Sequence, residues 1–186
     1  MRKLSSFTFI TLNGFFKGEN NDISWHRHGE EENQFAADSM KSGNTLLFGR
    51  VTFEMMASYW PTPMAMQNDP NVAKGMNESK KIVFSRKLQK ADWQNTSVVK
   101  GDIVEEMKKL KNSSGPDFTI LGSGSIVTLF SEHRLIDEYG IMIDPVALGK
   151  GASIFDGIRN KLDLKLTGTK TFRSGTVLLS YRPSIL

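Results

Sequence analysis

Thr45-Leu46-Leu47-Phe48-Gly49-Arg50-Val51-Thr52 is the stretch on which the fold turns. Its first half is a continuous apolar run, the pattern of a strand buried on both faces. Gly49 stops the run, and helical spacing resumes over 51–58. Strand, glycine turn and helix in direct succession make the first half of a βαβ unit, whose parallel strands need a crossover helix. The same grammar returns at Phe118-Thr119-Ile120-Leu121, followed by Gly122-Ser123-Gly124 and a helix over 125–132. Lys81-Ile82-Val83-Phe84 is a third buried run, and 96–99 reads as one more strand.

Outward from these units the chain keeps alternating. Residues 4–12 form a first strand that stops at Asn13-Gly14, a turn signal. A polar stretch over 17–29 leads to Glu30-Glu31-Glu32, acids suited to a helix N-terminus, and a helix to Ser42 with Phe35, Ala36 and Met40 as its buried stripe. Pro61 and Pro63 are expected to end the 51–58 helix and open a long loop through Asn68-Asp69-Pro70. Ile103, Met107 and Leu110 mark a helix over 103–111, and 138–146 reads as a strand followed by a flexible loop at 148–151. The tail forms a hairpin, 164–172 against 176–181, turning at Arg173-Ser174-Gly175. No repeat or linker divides the chain, so residues 1–186 are expected to form one domain. Strands alternating with helices predict an α/β domain with a mostly parallel sheet covered on both faces. The hairpin adds antiparallel strands at one edge. In such sheets ligands bind beyond the carboxyl ends of the strands.

Composition narrows the chemistry. Of 186 residues 39% are hydrophobic and 24% charged, ordinary values for a globular protein. The net charge of +4 comes from scattered residues, whereas nucleic-acid binders gather basic groups on one face or in a run. No nucleic-acid partner is expected. The absence of cysteine excludes thiolate catalysis, disulfides and cysteine zinc sites. With no signal-peptide core and no run of about 20 apolar residues, a cytoplasmic protein without a membrane segment is expected. Neither a Walker A loop nor a Gly-x-Ser-x-Gly elbow occurs.

Three strand-end turns carry the functional signal. Gly49 lets backbone approach a ligand closely, Arg50 adds a fork of donors suited to phosphate, and Thr52 places a hydroxyl in the first helical turn. Each also fits an ordinary helix start. Ser85 and Arg86 suit a phosphate monoester such as the 2′-phosphate of NADP, or simply a polar loop entry. Gly122, Ser123, Gly124 and Ser125 form a Gly-rich anion turn before a helix. The dinucleotide fingerprint is incomplete there, because Val127 stands where its third glycine belongs; Asp144 lies at the distance of its ribose-binding acid. Together the three turns favour a phosphorylated nucleotide.

Leu47-Phe48-Gly49-Arg50-Val51-Thr52 with its continuation to Tyr59-Trp60-Pro61 resembles the dihydrofolate-reductase-like family, as do Lys81-Ile82-Val83-Phe84-Ser85-Arg86 and Leu121-Gly122-Ser123-Gly124-Ser125. The nearer likeness is to the C-terminal reductase domain of the bifunctional riboflavin-biosynthesis deaminase-reductase. Leu135-Ile136-Asp137-Glu138 and the run from Asp144-Pro145 to Lys150-Gly151 are similar to that domain too. The resemblance covers nearly the whole chain. It implies a three-layer α/β/α domain, a homodimer, and NADPH as cofactor for reduction of a small pterin-like or riboflavin-precursor-like substrate. It assigns Gly49, Arg50 and Thr52 to cofactor phosphates, Ser85 and Arg86 to the 2′-phosphate side, and residues 122–125 to the pyrophosphate.

The substrate side departs from the family. Asn33 falls where dihydrofolate reductases carry their pterin-binding carboxylate, and Ile120 replaces the substrate-binding glutamate of the riboflavin-pathway reductases. Asn13 stands in the usual Asp-Gly turn after the first strand. Asn13, Asn33 and Trp60 are the substrate-side candidates, and Glu31, Glu32 and Asp144 the candidate acids. Glu30-Glu31-Glu32 is equally a helix-opening charge run, and Trp60 equally a core residue. His26 and His28 are expected at the surface, with no metal. The main reading is an NADPH-dependent reductase; the alternative is an NADPH-binding module or sensor without turnover.

Overall fold

In the computed structural model, residues 1–184 apart from His28 are described. An eight-stranded sheet forms the middle layer, in the order β5-β4-β3-β6-β1-β7-β10-β9. Its strands are β1 (Leu4–Thr11), β3 (Thr45–Gly49), β4 (Lys81–Phe84), β5 (Thr96–Val99), β6 (Phe118–Leu121), β7 (Glu138–Asp144), β9 (Leu164–Thr171) and β10 (Val177–Pro183). The six strands from β5 to β7 run parallel, and β10 pairs antiparallel with both β7 and β9. A short second sheet pairs β2 (Phe15–Lys17) with β8 (Ala152–Ser153). The expected α/β/α arrangement, mostly parallel with a terminal hairpin, is the arrangement found.

Helices cover both faces. α5 (Ile103–Asn112) and α6 (Gly124–Glu132) bury Val104, Met107, Ile126 and Phe130 against Leu4, Phe118 and Ile120. On the opposite face α1 (Glu30–Met40), α2 (Arg50–Tyr59) and α4 (Pro70–Glu78) pack Ala37, Phe53, Val72 and Met76 over Leu46, Phe48 and Val83. α1 and α4 approach so closely that a Cβ on Gly75 would lie 2.6 Å from Met40 Cβ. Among the described residues no helix is long and apolar enough to cross a membrane.

The long loop expected over residues 61–70 is instead helical. α3 (Pro63–Asn68) and α4 each begin with proline at the first helical position. There the missing N–H costs nothing and the fixed φ already suits a helix. Thr62 caps α3, its Oγ1 accepting from Ala65 N at 3.2 Å. At the far end of α4, Lys81 donates to the carbonyls of Met76, Asn77 and Ser79 at 2.8, 3.1 and 2.7 Å, and its ammonium lies over the Trp93 ring. A fully buried lysine thus closes a helix C-terminus whose carbonyls lack partners within the helix.

Candidate active site

The turns after β3 and β6 meet because these strands are neighbours, and a hydroxyl joins them. Ser123 Oγ accepts from Gly49 N at 3.0 Å and donates to Leu121 O at 3.1 Å. Gly122 and Ser123 both take left-handed backbone, φ +56° and +57°, which bends β6 directly into α6. Neither α2 nor α6 has a side-chain N-cap. The first N–H groups of both helices therefore point outward at the end of positive dipole. Side chains are kept away by glycine. A Cβ on Gly49 would lie 3.2 Å from Ile126 Cγ1, and one on Gly124 would enter the Phe16 ring, 2.7 Å from Cζ. Arg50 lies beside this cradle, held across the first turn of α2 by a 2.7 Å ion pair with Glu54. Two converging donor-rich turns with a guanidinium at their edge fit a pyrophosphate.

From the turns a cleft of about 830 Å³ opens between α1 and α2 over the sheet. Gly49, Arg50, Thr52 and residues 122–125 line one end, with Phe16 and Lys17 from the segment after β1. Leu46 and Leu121 belong to the floor of the α1 side, and Phe35, Met40, Met55, Met56, Trp60 and Met76 to its walls. The cleft is a product of crossover topology: β1 and β3 are separated by β6, so α1 and α2 stand apart above it.

A model of the RibD C-terminal domain matches residues 2–178. The chain belongs to the RibD C-terminal domain family. Its relative YyaP of Bacillus subtilis (strain 168), an uncharacterized protein, is 32% identical over 172 residues, covering 92% of this chain and 90% of YyaP. A protein of Shewanella sp. PV-4 named for riboflavin biosynthesis superposes with a TM-score of 0.77 at 19% identity, with both chains covered completely. Dihydrofolate reductase from Enterococcus faecalis, solved in complex with NADP(H) and RAB-propyl, gives a TM-score of 0.67 at 16% identity over 98% of this chain and 97% of its own. The fold of this RibD-type domain is therefore dihydrofolate-reductase-like.

The structure separates the candidates read from sequence. Gly49, Arg50, Thr52, Gly122, Ser123, Gly124, Ser125 and Trp60 come together in the cleft. Ser85 and Arg86 follow β4, the strand beside β3, but do not line it; Ser85 Oγ accepts from Lys87 N and Leu88 N, and Arg86 is exposed. Asn13 binds the loop after β7, donating to Leu148 O at 2.7 Å and accepting from Leu148 N at 3.2 Å. Asn33 donates to Asp69 Oδ1 at 2.7 Å, bridging α1 to the start of α4. Ile120 is fully buried in the α5–α6 core.

The three candidate acids are all engaged away from the cleft. Glu31 accepts from the backbone N–H of Arg173 and pairs with its guanidinium at 2.8 Å. Glu32, buried, accepts from the Ser174 hydroxyl. Both tie α1 to the hairpin turn. Asp144 is fully buried, accepting from Arg27 N and pairing with His26 Nδ1 at 2.8 Å. His26 is thus not a surface residue: its ring stacks 3.5 Å from Phe9, and it holds the segment before α1 onto the end of β7. His28 lies outside the described residues. Sequence reading missed this pair because 118 positions separate its members. It also missed the methionine wall, which forms only when three helices converge.

Proposed function

We propose that this chain is an NADPH-dependent reductase of a small cyclic C=O or C=N compound. The observation that carries the reading is the pair of turns joined by Ser123 and opening into one cleft with the apolar α1–α2 wall. The N-terminal N–H groups of α2 and α6, with Arg50 and Thr52, would hold the cofactor pyrophosphate. Ser85 and Arg86, at the next strand end, would meet the 2′-phosphate, where a serine hydroxyl and a guanidinium distinguish NADPH from NADH. The cofactor, when bound, supplies the hydride; the residues of this chain supply position and exclusion of water. Phe16 and Lys17 border the turns from above, and Trp60 with the methionines forms the surface for the acceptor ring.

Titration of NADPH fluorescence with the purified chain tests the reading, followed by NADPH oxidation in the presence of acceptors. Micromolar binding with turnover of at least one acceptor is the expected result; no binding at that concentration would sink it. A second reading, a cofactor-binding module without turnover, is favoured by the engagement of Glu31, Glu32 and Asp144 elsewhere. Binding without oxidation across pterins, aminopyrimidines and quinones would select it.

A further inference from the structure

We infer that the α1–α2 end of the cleft takes a flat, uncharged quinone-type compound in preference to a pterin or a phosphorylated aminopyrimidine. This rests on the reductase reading above and names its substrate. Met40, Met55, Met56 and Met76 face this space, four of the nine methionines in the chain, together with Phe35 and Trp60. Thioethers beside aromatic rings form a polarizable, adaptable surface suited to another flat ring. Two polar groups at the α1–α2 end already have partners, while the unpartnered hydroxyls of the lining, Ser6 and Thr8, belong to β1. The Trp60 indole N–H is directed to Met56 Sδ at 3.1 Å, and Thr119 Oγ1 on the floor takes the Asn44 amide at 3.0 Å. Among the described lining residues the sole carboxylate is Glu138, on the sheet at the start of β7, and it is paired with Arg182 at 2.7 Å.

A pterin or aminopyrimidine would place its amino and ring N–H groups against carbon and sulfur, losing hydrogen bonds to water without replacement. A phosphate at this end would meet no lining cation but Arg182, which is paired with Glu138, since Arg50 and Lys17 stand with the turns and Lys170 lies over the Phe35 ring outside the lining. A quinone carries neither group. Its chemistry also matches the wall. Reduction of a ring C=N is favoured by protonation of the nitrogen, which calls for a positioned acid. A quinone gains one hydride, which carries both electrons and the first proton, and then a second proton from water; both C=O groups become C–OH as the dihydronicotinamide is oxidised to the nicotinamide cation. The hydroquinone monoanion formed in between is stable enough to be protonated by solvent, so no carboxyl need reach the ring.

The test uses the full chain and 2-methyl-1,4-naphthoquinone. Without cofactor, the quinone should quench tryptophan fluorescence saturably, and Trp60→Phe should remove most of that saturable component. With NADPH, its kcat/KM should exceed that of dihydropterin and of the phosphoribosylaminopyrimidine by about tenfold or more. Met55→Glu should lower the quinone value by about tenfold, and Met55→Leu by less than about twofold, with NADPH binding unchanged in both. Non-saturating quenching, or preference for either heterocycle, overturns the inference while NADPH binding keeps the reductase reading alive. Failure to bind NADPH overturns both.

Discussion

Gly124 shows how one missing side chain shapes the site. Alanine there would push a methyl group into the Phe16 ring, which must leave its place against the first turn of α6 and so reshape the turn. Gly124→Ala should weaken NADPH binding by about tenfold, roughly 1.4 kcal/mol, with an unchanged circular dichroism spectrum; equal affinity would mean that Phe16 yields freely. Glu31 gives the converse case. Because its carboxylate is held by a largely exposed arginine, Glu31→Gln should cost at most about 1 kcal/mol of stability and leave kcat within about twofold. A fall in kcat of a hundredfold would restore it as an acid. Lys81 adds a pH signature. Burial pushes its ammonium down to about 8, below the usual lysine value. Between that pH and about 10.4 the unfolded chain binds more protons than the folded one, so this residue adds stability as pH rises. Burial moves the Tyr139 hydroxyl the other way, and its contribution falls as pH rises above the ordinary tyrosine value. Urea midpoints of wild type and Lys81→Met across this range isolate the lysine: the difference between them should grow with pH, beyond a constant loss of about 1–3 kcal/mol per orphaned carbonyl. The turn glycines, Gly49 and Gly122, are legible because a glycine after a buried apolar run marks where strand gives way to helix. Lys81 is not, since in sequence it is simply the first residue of an apolar run.

At the scale of elements, strand and helix identities followed from period wherever a strand was buried on both faces. They fail over 61–70, where the prolines suggest a helix end and a loop but Pro63 and Pro70 each begin a helix. β2 and β8 were hidden for another reason: a pairing of two or three residues leaves no periodic trace. The segment after β1 contributes Phe16 and Lys17 to the cleft and is clasped further along by His26 on Asp144. Replacing His26 by leucine leaves the fully buried Asp144 carboxylate bonded to the Arg27 N–H but without the imidazole beside it. Loss of one member of a buried pair typically costs about 3–5 kcal/mol. His26→Leu should therefore lower the unfolding free energy from urea titration by that amount and admit protease between residues 17 and 29. Asp144→Asn, which keeps the shape and an acceptor for Arg27 N, should lose less. Equal resistance to protease in wild type and His26→Leu would show that other contacts hold this segment.

For the molecule as a whole, the arrangement of layers was readable from alternation, while the site was readable by halves. The glycine-turn half is written in local words at strand ends. The apolar wall is assembled from α1, α2 and α4, whose facing residues have no sequence relation beyond their helical spacing. The central position of β1 has a consequence for synthesis. Leu4–Thr11 leaves the ribosome before the other strands, yet its two partners are β6 and β7, more than a hundred residues later. Until β6 has emerged, the growing chain exposes Phe7 and Phe9 on a strand with both edges unsatisfied, and one edge stays open until residue 144. Such long-range pairing is slow to form and open to misassociation, so a nascent chain stalled before β6 should be a preferred client for a chaperone that holds extended apolar segments.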